Sequence, residues 1–147
     1  MAERVLEGWA ARDGVAVEVS SAGTSAEESG NPIDPRAARV LAQAGYRTAG
    51  HRAHRITAEE IRSADIVVAM EELHRDRMLR LVPDAHNIVL LTDYVPGAQP
   101  GSGVPDPWYG GAEGFRRTLE VVEAAMPGLL DAVRHRVAGA TIRRSAT

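Results

Sequence analysis

Two runs in this chain, Asp65-Ile66-Val67-Val68-Ala69-Met70 and Asn87-Ile88-Val89-Leu90-Leu91, are apolar almost without interruption. A strand with one face in water alternates polar and apolar side chains, whereas a strand covered on both faces does not. Segments with helical spacing alternate with these runs. That order predicts an α/β fold of three layers, a parallel sheet with helices on both faces. A further strand is expected over Val15-Ala16-Val17-Glu18-Val19, ahead of a loop rich in Ser and Gly over residues 20–30. The helical segments carry their own punctuation. Val5, Leu6, Trp9 and Ala10 fall at helical intervals within residues 2–11, and Asp13-Gly14 ends that segment. Asp34-Pro35 offers an N-cap and a first-turn proline to a helix over residues 36–43, stopped at Gly45. Thr57-Ala58-Glu59-Glu60 has capping-box spacing, and a helix over residues 71–81 stops before Pro83. A long helix from residue 112 to about 136 is expected to break at Met126-Pro127-Gly128. Residues 137–147, small and polar, read as a disordered tail beyond a single domain of residues 1–136.

Ligands of such sheets gather at the carboxyl ends of the strands, where the strand order reverses. The loops after Val19, Met70 and Leu91 are therefore expected to converge on one edge. The segment that follows the last of them is Val104-Pro105-Asp106-Pro107-Trp108-Tyr109-Gly110-Gly111. It sets one carboxylate on a proline-stiffened loop beside two large aromatics, just ahead of a helix. Those groups can hand a proton to an aromatic leaving group held between flat side chains. Taken alone, Asp106-Pro107 is also an ordinary turn start, and Trp108 and Tyr109 could equally cap the core.

Composition removes several classes of function. The 147 residues contain no cysteine, which excludes disulfides and thiolate metal sites and fits a cytoplasmic protein. His74, His86 and His135 lie apart without ligand spacing, so neither a metal nor a cofactor is expected. A net charge of -3 gives no support to a nucleic-acid reader or a polybasic membrane binder. No stretch approaches the ~18 apolar residues of a membrane span. Met1-Ala2-Glu3-Arg4 lacks the basic start and apolar run of a signal peptide.

Five stretches, in this order and at these spacings, resemble the low-molecular-weight protein-tyrosine phosphatases. They are Met1-Ala2-Glu3, Ser21-Ala22-Gly23-Thr24, Asp34-Pro35-Arg36-Ala37, residues 64–70 and residues 104–111, and the likeness runs from residue 1 to about 134. The resemblance implies a sheet of strand order 2-1-3-4. It also implies that the first, central strand and the loop C-x5-R-[ST]-P that follows it are not among these residues, since Met1-Ala2-Glu3 reads like the sequence after that proline. In the family a cysteine thiolate attacks phosphorus, with its pKa lowered by backbone N–H groups and a helix N-terminus. The same N–H groups and one arginine hold the phosphoryl oxygens. An aspartic acid protonates the leaving phenol and then activates the water that cleaves the phosphocysteine.

By resemblance Asp106 is that acid, and Trp108 and Tyr109 are walls for the phosphotyrosine ring. Ser21 is implied to steady the phosphate loop, against a reading as a simple loop hydrogen bond. His51, in Gly50-His51-Arg52-Ala53, is implied to support the site, against a solvated surface role. Asp93-Tyr94-Val95-Pro96 departs from the pattern, because relatives often place an acid shortly before the proline, where valine stands here. The implied partners are phosphotyrosine-containing proteins or small aryl phosphates. Without the cysteine and arginine this chain is expected to be inactive as given, the alternative being a non-catalytic remnant that binds anions weakly or a partner. Arsenate reduction on the same scaffold also needs cysteines. Without that central strand the chain is expected to be at best marginally folded or prone to aggregate; if ordered, the gap is expected to be filled by direct pairing of residues 15–19 with residues 65–70, or by a strand from another copy.

Overall fold

The computed structural model describes residues 1–24, 34–50, 54–104 and 111–146, without the side chains of residues 111–112 and 137–146. Its elements in chain order are α1 (Ala2–Arg12), α2 (Pro35–Gln43), α3 (Ala58–Ser63), β1 (Val67–Ala69), α4 (Glu72–Leu81), β2 (Ile88–Leu90), a 3-10 turn (Leu91–Tyr94) and α5 (Gly111–Ala146). β1 and β2 are parallel neighbours, with Val67 opposite Ile88 and Ala69 opposite Leu90. A separate parallel bridge joins Gly23 to Arg55.

The near-continuous apolar character of β1 has the expected cause. Val67 and Ala69 pack with Ile61, Met78 and Val82 of the α3–α4 side. Val68 and Met70 pack on the opposite side, against the cluster built by α1, α2 and α5. One strand thus separates two apolar clusters. The larger one holds Val5, Val40, Leu41, Leu91, Phe115, Val122, Met126 and Leu129. α3 is tied to the start of β2 by Asn87, whose buried side-chain amide donates to the Ile61 carbonyl at 2.8 Å and the Ala64 carbonyl at 2.9 Å.

The helix starts follow local chemistry. Asp34 caps α2 by accepting from the Arg36 backbone N–H at 2.8 Å, with Pro35 in the first turn. Thr57 and Glu60 form the reciprocal capping box of α3. Gly45, at a φ of 90°, turns the chain after α2.

Three expectations are corrected. Residues 15–19 form no ladder. They run extended, with Val15, Val17 and Val19 half-buried and Ala16 and Glu18 exposed, which is the alternation of a strand without a partner. Nor do they pair with residues 65–70, since only Val67–Ala69 is strand and its one partner among the described residues is β2. The space between the two segments is an open groove of about 1180 Å³. Thirdly, α5 is not interrupted at Met126-Pro127-Gly128. Met126, Leu129 and Leu130 are all at most 2% exposed, and burial of that kind, about 1.5–3 kcal/mol per large side chain, offsets the roughly 3 kcal/mol of an interior proline. Gly128 serves contact rather than termination, because a Cβ there would stand 3.3 Å from the Tyr94 ring. The backbone of α5 runs on to Ala146.

A second glycine also marks a close approach. A Cβ on Gly8 would lie 2.9 Å from Cδ1 of Tyr46, whose hydroxyl accepts from Trp9 Nε1 at 2.9 Å and donates to Glu123 at 2.6 Å. Gly8→Ala gains up to about 1 kcal/mol of helix propensity but must displace that ring. We expect a net loss of about 1–3 kcal/mol in urea unfolding, together with a change in tryptophan emission. Unchanged or greater stability contradicts the contact.

Candidate functional site

The carboxyl end of β1 organises the site. The Val104 backbone N–H donates to the Met70 carbonyl at 2.8 Å, so the chain that follows Val104 departs from the end of that strand. The approach to Val104 depends on two glycines. Gly101 has a φ of 79°, and a Cβ there would meet a carboxylate oxygen of Glu72 at 2.7 Å; a Cβ on Gly103 would meet Cγ of Glu71 at 2.9 Å. Residues without side chains let the loop press against the start of α4. The Thr92 hydroxyl donates to the Ser102 carbonyl and fixes the same loop from the other side.

The start of α1 reaches the same edge. Ser21 Oγ donates to Glu3 at 2.8 Å, tying the loop after residues 15–19 to the first turn of α1. Met1, Glu3, Ser21, Asp34, Glu71 and Val104 all line the groove between residues 15–19 and β1. Of the sequence-predicted site residues, Ser21 is therefore at the carboxyl edge, bonded to a helix side chain. Asp106, Trp108, Tyr109 and His51 lie outside the described residues. Asp93 faces elsewhere: its carboxylate accepts from the Leu90 backbone N–H at 3.1 Å and holds the 3-10 turn.

Two cationic arrangements escaped the sequence reading. Arg36 grips Asp34 through Nε at 3.2 Å and Nη2 at 3.1 Å, while its guanidinium lies over the Phe115 ring at 4.9 Å. The Arg36 hydrogen bond holds the Asp34 carboxyl below its usual range, against the opposing effect of burial. Arg4 is 4% exposed. It donates to the Ala49 carbonyl at 2.8 Å and to Glu7 at 3.1 Å, and Glu7 in turn pairs with Arg47 at 2.8 Å. These bonds fix residues 47–49, just ahead of Gly50-His51, against α1. The buried Nε of Arg4 has no partner among the described residues. The Arg4–Glu7 spacing of an ion pair was readable in the sequence. Its burial and its reach to Ala49 were not.

These features define a parallel α/β protein whose loops converge at one strand edge beside a helix start. The sequence matches the family model "Low molecular weight phosphotyrosine protein phosphatase" over residues 1–139, and the chain belongs to that family. It is 43% identical over 127 residues to a low molecular weight protein-tyrosine-phosphatase of Streptomyces coelicolor, covering 84% of this chain and 77% of the relative. It is 37% identical over 126 residues to low molecular weight protein-tyrosine phosphatase A of Mycobacterium bovis, covering 85% and 76%. In fold it resembles a crystal structure of a protein tyrosine phosphatase from Entamoeba histolytica, with a TM-score of 0.84 over 91% of this chain and 87% of that one at 24% identity. No described helix is long and apolar enough to cross a membrane.

Asp34 provides a pH test. A carboxyl depressed on folding contributes stability above its unfolded pKa of about 3.9, and that contribution is lost as pH falls through the depressed value. Asp34→Ala is expected to cost about 0.5–2 kcal/mol at neutral pH through the lost cap. Asp34→Asn keeps the capping oxygen and removes part of the acid-side loss. Urea titrations at several pH values check both. An Asn variant with the parent's full acid slope contradicts the assignment.

Proposed function

We propose that this chain carries the general-acid and substrate-cleft half of a phosphotyrosine phosphatase site. Asp106 protonates the leaving phenol and Trp108 and Tyr109 wall the ring, while Ser21 steadies the edge through Glu3 and His51 supports it from the segment that Arg4 anchors. The observation that carries this reading is the Val104–Met70 hydrogen bond. It starts the acid-bearing segment at the strand edge where ligands of such sheets collect. Phosphotyrosine side chains and small aryl phosphates are the substrate class, with phosphate monoester hydrolysis in the cytoplasm as the setting.

The 147 residues contain no cysteine, and no serine in them is flanked by a histidine that could activate it. The second reading, a module that binds anions or a partner without turnover, draws on the open groove beside β1. Kinetics separate the two. On its own, the 147-residue chain is expected to hydrolyse p-nitrophenyl phosphate no faster than buffer; a vanadate-sensitive rate overturns that. When a strand and C-x5-R-[ST]-P loop are fused ahead of Met1, turnover is expected, and Asp106→Asn then lowers it roughly 10²–10⁴-fold. A fused protein that turns over equally well without Asp106 removes the acid assignment.

The aromatic pair gives an independent check in the fused protein. Trp108→Ala or Tyr109→Ala is expected to raise KM for aryl phosphates several-fold while sparing small alkyl phosphates. Equal losses on both substrates, accompanied by a lower Tm, mean that the rings serve packing instead.

A further inference from the structure

The 3-10 turn that follows β2 is held from three sides. The Asp93 carboxylate accepts from the Leu90 backbone N–H at 3.1 Å, Leu91 is fully buried, and Gly128 brings the backbone of α5 against the Tyr94 ring. From this platform residues 95–103 cross to the carboxyl end of β1, and none of them is buried. Two tight turns shape the crossing. The Ala98 N–H donates to the Val95 carbonyl at 3.1 Å, and the Ser102 N–H to the Gln99 carbonyl at 3.1 Å. Each turn has a proline followed by a glycine at its centre, with Gly97 at a φ of 80° and Gly101 at 79°, the pattern of a type II turn. Such bonds give the crossing a shape without fixing where it lies.

Among the described residues, two hydrogen bonds tie the far end of the crossing to the rest of the protein. The Val104 N–H donates to the Met70 carbonyl at 2.8 Å, and the Thr92 hydroxyl donates to the Ser102 carbonyl. The first comes from the end of β1 and the second from the platform after β2. One bond alone is a pivot, whereas two bonds two residues apart fix a direction. Thr92 suits the task. It is 6% exposed, its branched side chain is stiff at χ1, and a buried hydroxyl needs a partner. Ser102 is only half-buried, so removing the Thr92 hydroxyl costs one hydrogen bond and leaves the core as it is.

We propose that Thr92 is a positioning residue of the phosphotyrosine site: through Ser102 it sets the direction in which the chain leaves Val104 toward Asp106. The inference rests on the reading of Asp106 as the general acid, and adds the group that aims it. As the bond from phosphorus to the phenolic oxygen breaks, its electron pair stays on that oxygen and takes a proton from the Asp106 carboxyl. The transfer needs hydrogen-bond reach, about 2.6–3.2 Å between heavy atoms. A misaimed segment loses it while nucleophilic attack continues. The loss is greatest where the leaving group is most basic. Phenyl phosphate releases a phenol about as basic as a tyrosine side chain, with a pKa of about 10. The leaving group of p-nitrophenyl phosphate is a much weaker base and departs with less help.

Thr92→Val keeps the shape of the side chain without its hydroxyl, and Thr92→Ser keeps the hydroxyl. In the full 147-residue chain, Thr92→Val is expected to speed amide exchange at Val104 at least tenfold. Residues 67–69 exchange as in the parent, and Thr92→Ser keeps the parent rate at Val104. In the protein with a strand and C-x5-R-[ST]-P loop fused ahead of Met1, Thr92→Val is expected to lower kcat/KM for phenyl phosphate at least tenfold. The drop for p-nitrophenyl phosphate is expected to be at least threefold smaller, and Thr92→Ser to restore both. In an Asp106→Asn background the same Thr92→Val change is expected to leave the ratio of the two esters unaltered. A purely structural role lowers both rates alike. Unchanged exchange at Val104, or equal losses on the two esters beside a costly Asp106→Asn, overturns the proposal and leaves the acid reading standing. An Asp106→Asn variant that costs nothing on either ester overturns both.

Discussion

Everything in this molecule rests on the burial of one face of α5. Phe115, Leu119, Val122, Ala125, Met126, Leu129 and Val133 are each at most 7% exposed, and most of them belong to the cluster that also holds α1, α2 and the 3-10 turn. Among the described residues the sheet has two strands of three residues. A two-stranded element is marginal alone and needs helical packing to persist. The long helix supplies it, and the same burial accommodates a proline in the middle of that helix.

What was legible in the sequence was local. The Asp34 cap, the Thr57–Glu60 box and the Gly45 turn each need only a few neighbouring residues, and all three stand as read. What failed was non-local. Residues 15–19 have the composition and the burial alternation of a strand, yet a strand is defined by its neighbour, and composition does not carry the neighbour. Pro127-Gly128 has the spelling of a helix break, but the apolar residues on both sides fill the core and Gly128 admits the Tyr94 ring. Tertiary burial outweighed the local signal.

The candidate site divides along the same line. The segment from residue 104 to 111 could be singled out only in company, because aspartate-proline alone is an ordinary turn start and the four other matching stretches set it in register. Ser21 could be named, but not its Glu3 partner, which lies 18 residues away in sequence. Arg4 could be paired with Glu7 by spacing but not recognised as an anchor. Such a pair on an amphipathic helix reads as solvated, and only the fold shows Arg4 4% exposed and bonded to Ala49.

β1 holds the two halves of the molecule in one relation. Its even and odd side chains enter different clusters, Val68 with α1, α2 and α5, and Val67 and Ala69 with α3 and α4. Any shift of β1 therefore moves both helical layers relative to each other. Because Val104 is bonded to the residue directly after β1, the same shift moves the start of the acid-bearing segment. Geometry at the carboxyl edge is thus tied to both helical layers through a single three-residue strand.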